Sequence, residues 1–278
     1  MALVDYDSSS SEDGEQSLTS QSQSPKRQKK LPVLPSTFDL ALKDDLSLHQ
    51  GRTRSRPFVE GEYNTHLYLS LTIPDALLAV LKDVIASLPP FTHPIHPLLP
   101  KLHISLTRPL PLRRHQIQSF RDKLSEKLSR CGAFRLSLAG RVKAYSNEIH
   151  EGVQGLAKGR GFLALRVGAG ASELKAIQDK VIHPILDVVH LPTYYENPEF
   201  HSSFAWSLLE SRGGKQETEA DLIDSCSVFS NSVLEGINEK FEERILAAQP
   251  SRGWSVDSVE LKISKEVTRL FLGCNNGT

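Results

Sequence analysis

The run THLYLSLTI at residues 65–73 places Leu67, Leu69 and Leu71 on one side and His66, Tyr68 and Ser70 on the other. A two-residue period means a half-buried strand, because successive side chains of an extended backbone point to opposite faces. The same pattern returns in LHISLT (102–107), Phe134 to Ala144, GFLALRV (161–167) and HSSFAWSL (201–208), and in a closing hairpin of Trp254 to Ile263 and Val267 to Leu272. Between these runs the period becomes helical. Leu77, Leu78, Leu81, Val84, Ile85 and Leu88 recur until Pro89 and Pro90 stop them, and a proline-rich loop (PPFTHPIHPLLP) follows. Ile117, Phe120, Leu124 and Leu128 stripe a basic helix from Arg113 to Cys131. Leu174, Ile177, Val181, Ile185 and Val188 face inward from a helix over 172–189, and Glu219 to Ala247 reads as mostly helical. Strands with one wet face, interleaved with amphipathic helices, give an α+β domain whose sheets are backed by helices.

That domain spans residues 58–278. Residues 1–57 hold eleven serines but only two aromatics, Tyr6 and Phe38, too little to pack a core. They read as a disordered arm, acidic and serine-rich at first, then basic at PKRQKK (25–30), a run of the kind that serves as a nuclear import signal. The longest purely apolar run, Ala76 to Leu81, is six residues against the roughly 20 needed to cross a bilayer, so no membrane role is expected. Acids occupy the start (MALVDYDSSSSEDGE) where a secretory signal would be basic. Cys131, Cys226 and Cys274 form no CxxC pair and suit a reducing compartment. Formal charge sums to zero, but Lys101 to Lys143 carries eleven Lys and Arg against two acids, and Glu217 to Glu243 carries eight acids against one base. The basic segment can attract phosphates; either segment could equally be a solvated helix face.

Chemistry enters with two His-x-Ser tripeptides, His103-Ile104-Ser105 and His201-Ser202-Ser203. Chance supplies about one such tripeptide in a chain of this composition, so the weight lies in the setting. Each lies on an alternating run, which puts His103 with Ser105, and His201 with Ser203, about 6.8 Å apart on one face of a strand. Ser202, Phe204 and Trp206 fall on the other face. Two imidazoles facing each other across a cleft suit acid–base work on a phosphodiester, since a side chain with a pKa of about 6.5 can either accept or donate a proton near neutrality. The hydroxyls can donate to the non-bridging oxygens.

With their flanks HISLTRPLPLRRHQI, RVKAYSN, RGFLALRV and YYENPEFHSSFAWSL, these residues resemble the U6 snRNA phosphodiesterases of the 2H phosphodiesterase superfamily, over about Tyr63 to Gly273. The resemblance implies a two-lobed fold with pseudo-two-fold antiparallel sheets flanked by helices. It also implies a metal-independent 3′ to 5′ exoribonuclease, with no cofactor, acting in the nucleus as a monomer on the single-stranded 3′ end of U6 snRNA. Transesterification would leave a cyclic or open terminal phosphate. By position, His103 and His201 are the acid–base pair, Ser105 and Ser203 the phosphate ligands, and Tyr195 the residue that stacks on a base; Tyr194 is the alternative stacker. The family does not fix which histidine is the base, and the insert over 148–160 is longer than the family leads one to expect. Two other readings stay open: a related phosphodiesterase acting on a small cyclic phosphodiester or a tRNA-splicing product, and an RNA-binding module without catalysis.

Two further features read as structural. His93 and His96 in THPIHP have a spacing that could ligate metal, but prolines break the geometry and no Cys or carboxylate cluster accompanies them. The glycines of VGAGAS (167–172) lack a complete phosphate-binding fingerprint and read as a turn.

Overall fold

A computed structural model describes residues 59–91, 93–146, 158–193, 198–210 and 229–273. The arm expected over 1–57, Tyr195, most of the insert and the first part of the helix expected from Glu219 lie outside these.

The alternating run forms β1 (Glu62–Thr72), with Leu67, Leu69 and Leu71 buried. Pro74 ends it and caps α1 (Asp75–Ala86), which buries Leu77, Val80, Leu81 and Val84. There follow β2 (His96–Pro97), β3 (Lys101–Ser105), β4 (Leu110–Arg113), α2 (Arg114–Leu128), β5 (Phe134–Leu136), β6 (Leu138–Ser146) and β7 (Lys158–Val167). Then come α3 (Ala171–Ile177), a π-helical turn (Gln178–Ile182), α4 (His183–Val188), β8 (His201–Glu210) and α5 (Asn231–Ala247). The described chain closes with β9 (Trp254–Val256), β10 (Ser258–Ile263) and β11 (Glu266–Phe271).

The main sheet runs β11-β10-β1-β3-β8-β7-β6, with β4 also beside β1 and β2 also beside β8. Its two halves meet where β3 and β8 pair antiparallel at Ile104 and Ser202. This gives the two lobes about a local two-fold that the resemblance implied. One face of the sheet joins a single core with α1, Phe120 and Leu124 of α2, Leu174 of α3, and Phe241 and Ile245 of α5. The opposite face carries the polar members of each alternating strand.

Four departures from the sequence reading have local causes. Phe134 to Ala144 is two strands: β5 leaves to pair with β9, and the backbone of Leu138 is taken by the Gln249 side chain at 2.9 and 2.8 Å. Trp254 to Ile263 is split for the same reason. β4 escaped notice because two prolines surround Leu110; as an edge strand, with Pro111 opposite Asn64, it tolerates the missing donor. Val188 is 62% exposed rather than inward, because the π turn adds a residue to the helical register and brings Leu186 into the core instead. Gly170, with φ +91, caps α3, where a Cβ would lie 2.8 Å from the Arg135 carbonyl oxygen; the VGAGAS glycines are a turn, as read.

Candidate active site

With Ile104 opposite Ser202, His103 stands opposite Ser203, and Ser105 stands opposite His201. The histidines are therefore diagonal neighbours, about 7–8 Å apart in such a ladder, on the face that the helices leave free. All four residues singled out from the two tripeptides share this face. Tyr195 lies outside the described residues.

The half-buried His201 ring is fixed on two sides. Its Nδ1 lies 2.7 Å from the Glu199 main-chain carbonyl, an acceptor, so Nδ1 carries the hydrogen and the neutral ring presents its lone pair at Nε2. The Tyr145 ring stacks on it at 3.9 Å between centroids, with 10° between planes. Tyr145 is held in turn, donating from its hydroxyl to the Glu199 carboxylate at 2.9 Å. Lys143 donates to the same carboxylate at 2.7 and 3.0 Å, and Arg166 lies 3.6 Å from it. Burial works against ionisation of Glu199, but Lys143, Tyr145 and Arg166 keep its pKa below the ordinary value. The His201 pKa is lowered, first by burial and also by Lys143, while the Glu199 carbonyl and charge oppose the shift.

His103 sits in a different setting, edge-on to Tyr68 at 5.7 Å and to His66 at 6.0 Å. Burial lowers its pKa, and the charges of His201 and Lys262 add to the effect. Burial and a hydrogen bond to Glu260 push the Tyr68 hydroxyl up to about 12, so it stays protonated at any working pH. His66 reaches Ser105, its Nε2 lying 3.1 Å from Oγ. Burial, His103 and Lys262 lower the His66 pKa to about 4, with the Thr107 main chain opposing.

Sequence reasoning missed these supporting residues. His66 and Tyr68 stood on the polar side of the first alternating run, and Lys143 and Tyr145 lay in the RVKAYSN flank. What was missing was strand order, which brings β1 and β6 to the same site.

One alternation was misplaced. The β7–β8 register slips by one residue between Leu163↔Ala205 and Ala164↔Ser203. Phe204 is the extra residue of this bulge, and Trp206 comes opposite Phe162 on the site face, not opposite to it. His96 stacks on Trp206 at 4.4 Å, which gives it a packing role. Among the described residues, no group of three or more His, Cys, Asp or Glu converges as a metal site would require.

The basic segment divides. The cations of α2 lie on the helical side, as does Arg130 just beyond its end, paired with Glu126, whereas Lys143 is at the site with Arg166 and Lys262.

Residues 28–272 match the HVSL family, described as an uncharacterised conserved protein. The chain is 31% identical over 246 residues to U6 snRNA phosphodiesterase 1 of Xenopus laevis, covering 87% of this chain and 90% of that one. It is 28% identical over 228 residues to the Homo sapiens protein of the same name, covering 76% and 81%. Among solved structures, Kluyveromyces marxianus Usb1 with uridine monophosphate aligns at a TM-score of 0.49 and 16% identity, covering 75% of this chain and 97% of that one.

Proposed function

The chain is a member of the HVSL family and, within it, of the U6 snRNA phosphodiesterases, and from that premise we propose that it trims the 3′ end of U6 snRNA by metal-independent transesterification between His103 and His201. The observation that supports this is the Ile104–Ser202 pairing, whose register brings one imidazole and one hydroxyl from each half of the sheet to the same face.

The two histidines have separable tasks. His201 is the base: its Nδ1 hydrogen is committed to the Glu199 carbonyl, so Nε2 is free to take the ribose 2′-OH proton. The 2′-oxygen attacks the adjacent phosphorus in line, and His103, protonated, gives its proton to the departing 5′-oxygen. Ser105 and Ser203 donate to the non-bridging oxygens, where charge accumulates in the transition state. The RNA keeps a 2′,3′-cyclic phosphate and releases its terminal nucleoside with a free 5′-hydroxyl. Tyr195 stacks on a base of the single strand, an interaction worth about 1–3 kcal/mol and blind to sequence. Lys143, Arg166 and Lys262 draw the polyanion to this face, and we infer that the enzyme acts in the nucleus, with PKRQKK of the arm as its import signal.

The test is an end-labelled oligoribonucleotide carrying one 2′-deoxy residue. Trimming should stall where that residue supplies the sugar on the 5′ side of the scissile phosphate, while an all-ribose strand is trimmed through the same position. Passage at an undiminished rate would refute the 2′-OH as nucleophile.

A further inference from the structure

The two serines of the site are not equivalent. Ser105 lies 3.1 Å from His66 Nε2, whereas the strand next to Ser203 places Ala164 beside it. The second half of the sheet thus offers no third imidazole at that place. The difference matters because a phosphate ligand must donate its hydroxyl hydrogen, and Ser105 has only one. We assign the hydrogen of the neutral ring to Nδ1, since Nε2 faces Ser105 and the Thr107 main chain is among the causes that favour a ring hydrogen. In the neutral ring Nε2 then holds only a lone pair, and the Ser105 hydrogen points to His66. Its oxygen lone pairs would face an incoming phosphate, an arrangement that repels rather than binds.

We propose that His66 is a positioning residue for the phosphate: it takes a proton from solvent as the phosphodiester enters, donates from Nε2–H to Ser105 Oγ, and thereby turns the Ser105 hydrogen onto a non-bridging oxygen. The proton ends on His66, Ser105 keeps its own, and no covalent bond other than N–H changes. The surroundings explain why the proton arrives only with substrate. From β3 the ring faces His103 and Ser105, from β10 it faces Lys262 directly opposite, and from its own strand it stacks on Tyr68 at 5.3 Å. Two of these neighbours are cationic or can become so. The nearby carboxylate, Glu260, already accepts from Ser70 at 2.9 Å and from Tyr68. Burial and those cations hold the empty site's His66 neutral, with a pKa of about 4. The phosphodiester brings the missing negative charge.

The inference rests on Ser105 being a phosphate ligand, and the experiment separates the two. The probe is an oligoribonucleotide made uncleavable by a 2′-deoxy residue at the scissile position. Its affinity and its proton uptake are measured by calorimetry in buffers of different ionisation enthalpy, for the wild type, Ser105→Ala, His66→Ala, His66→Gln and the double Ala variant. Thermal unfolding is run alongside. Ser105→Ala and His66→Ala should each weaken binding by about tenfold, the scale of one charge-assisted hydrogen bond, and the double variant by little more than either. Glutamine supplies a neutral donor, so His66→Gln should keep most of the affinity at neutral pH yet take up about one proton fewer than the wild type.

Additive losses in the double variant, or unchanged proton uptake in His66→Gln, would overturn the proposal while leaving the serine as a ligand. Normal binding by Ser105→Ala would overturn it together with that serine's role. Failure of the wild type to trim the all-ribose strand would remove the functional reading and the proposal with it. Should His66→Ala not fold, the His66→Gln proton count decides alone.

Discussion

Replacing Tyr145 with alanine tests whether the His201 ring is held or merely present. The substitution removes a ring stacked at 3.9 Å and nearly parallel, and with it the link through the Tyr145 hydroxyl to the Glu199 carboxylate. Stacked aromatic pairs contribute about 0.5–1.5 kcal/mol beyond the area they bury. If that energy holds His201 in its reactive rotamer, losing it slows the chemical step by about two- to twelvefold, since each 1.36 kcal/mol is a factor of ten. Tyr145→Phe keeps the ring and loses the exposed hydrogen bond to Glu199, so it should stay within about twofold of the wild type. A second effect goes with the first. Burial is the main cause holding the His201 pKa below 6.5, and removing the ring lets water in, so the pKa rises toward the ordinary value. A base with a higher pKa is still protonated at a higher pH, and the acidic limb of the rate profile moves upward in Tyr145→Ala. Single-turnover trimming of an end-labelled oligoribonucleotide across pH gives both quantities, and proton NMR titration of the histidines gives the second independently. A wild-type rate together with an unmoved acidic limb in Tyr145→Ala would refute the reasoning. Equal damage from Tyr145→Phe would show that the hydroxyl, not the ring, does the holding.

His103→Ala and His201→Ala should each lower single-turnover trimming by about two or more orders of magnitude while retaining RNA binding in a gel-shift assay; full turnover by either would remove that residue from the mechanism. Both pKa values are held below 6.5, so the free enzyme has one protonated and one neutral imidazole mainly in acid. Accordingly kcat/KM should peak below pH 6.5, fall as rising pH strips the proton from His103, and fall again in stronger acid as His201 gains one; a plateau persisting above pH 7 would contradict this. The Ser202 hydroxyl is fully buried with no hydrogen-bond partner, on the core side of the same ladder. Ser202→Ala should therefore be neutral or stabilise the protein by up to about 1 kcal/mol in urea unfolding, with trimming intact.

Alternation and helical period were enough to locate both His-x-Ser strands, because a half-buried strand writes its two faces into the sequence. In LHISLT and HSSFAWSL the division into two strand faces was read correctly as far as Ser203. Beyond Ser203 the reading failed, since a bulge at Phe204 costs one residue of register and leaves no mark in composition. The partners of the histidines were invisible for a different reason. Tyr145 touches His201 across 56 residues of chain and Glu260 reaches Tyr68 across 192, and nothing local to either segment encodes that β6 and β10 belong beside this site. The basic segment shows the same limit. Its eleven cations count together in the sequence, yet those on α2 lie on the helical side and Lys143 stands at the site.

The strand order also sets a timetable. β1, the neighbour of β3, takes its outer partner from β10, so the strands that carry His103 and His201 are both translated before the half-sheet around His103 can close. Val259, Leu261 and Leu270, all buried, arrive only with β10 and β11, and so does Lys262 opposite His66. A nascent chain thus carries its two imidazoles, two hydroxyls and nearly all its basic surface while β1 still has a bare edge and an open core. The site gains Lys262, and β1 its outer cover, only when the last hairpin docks.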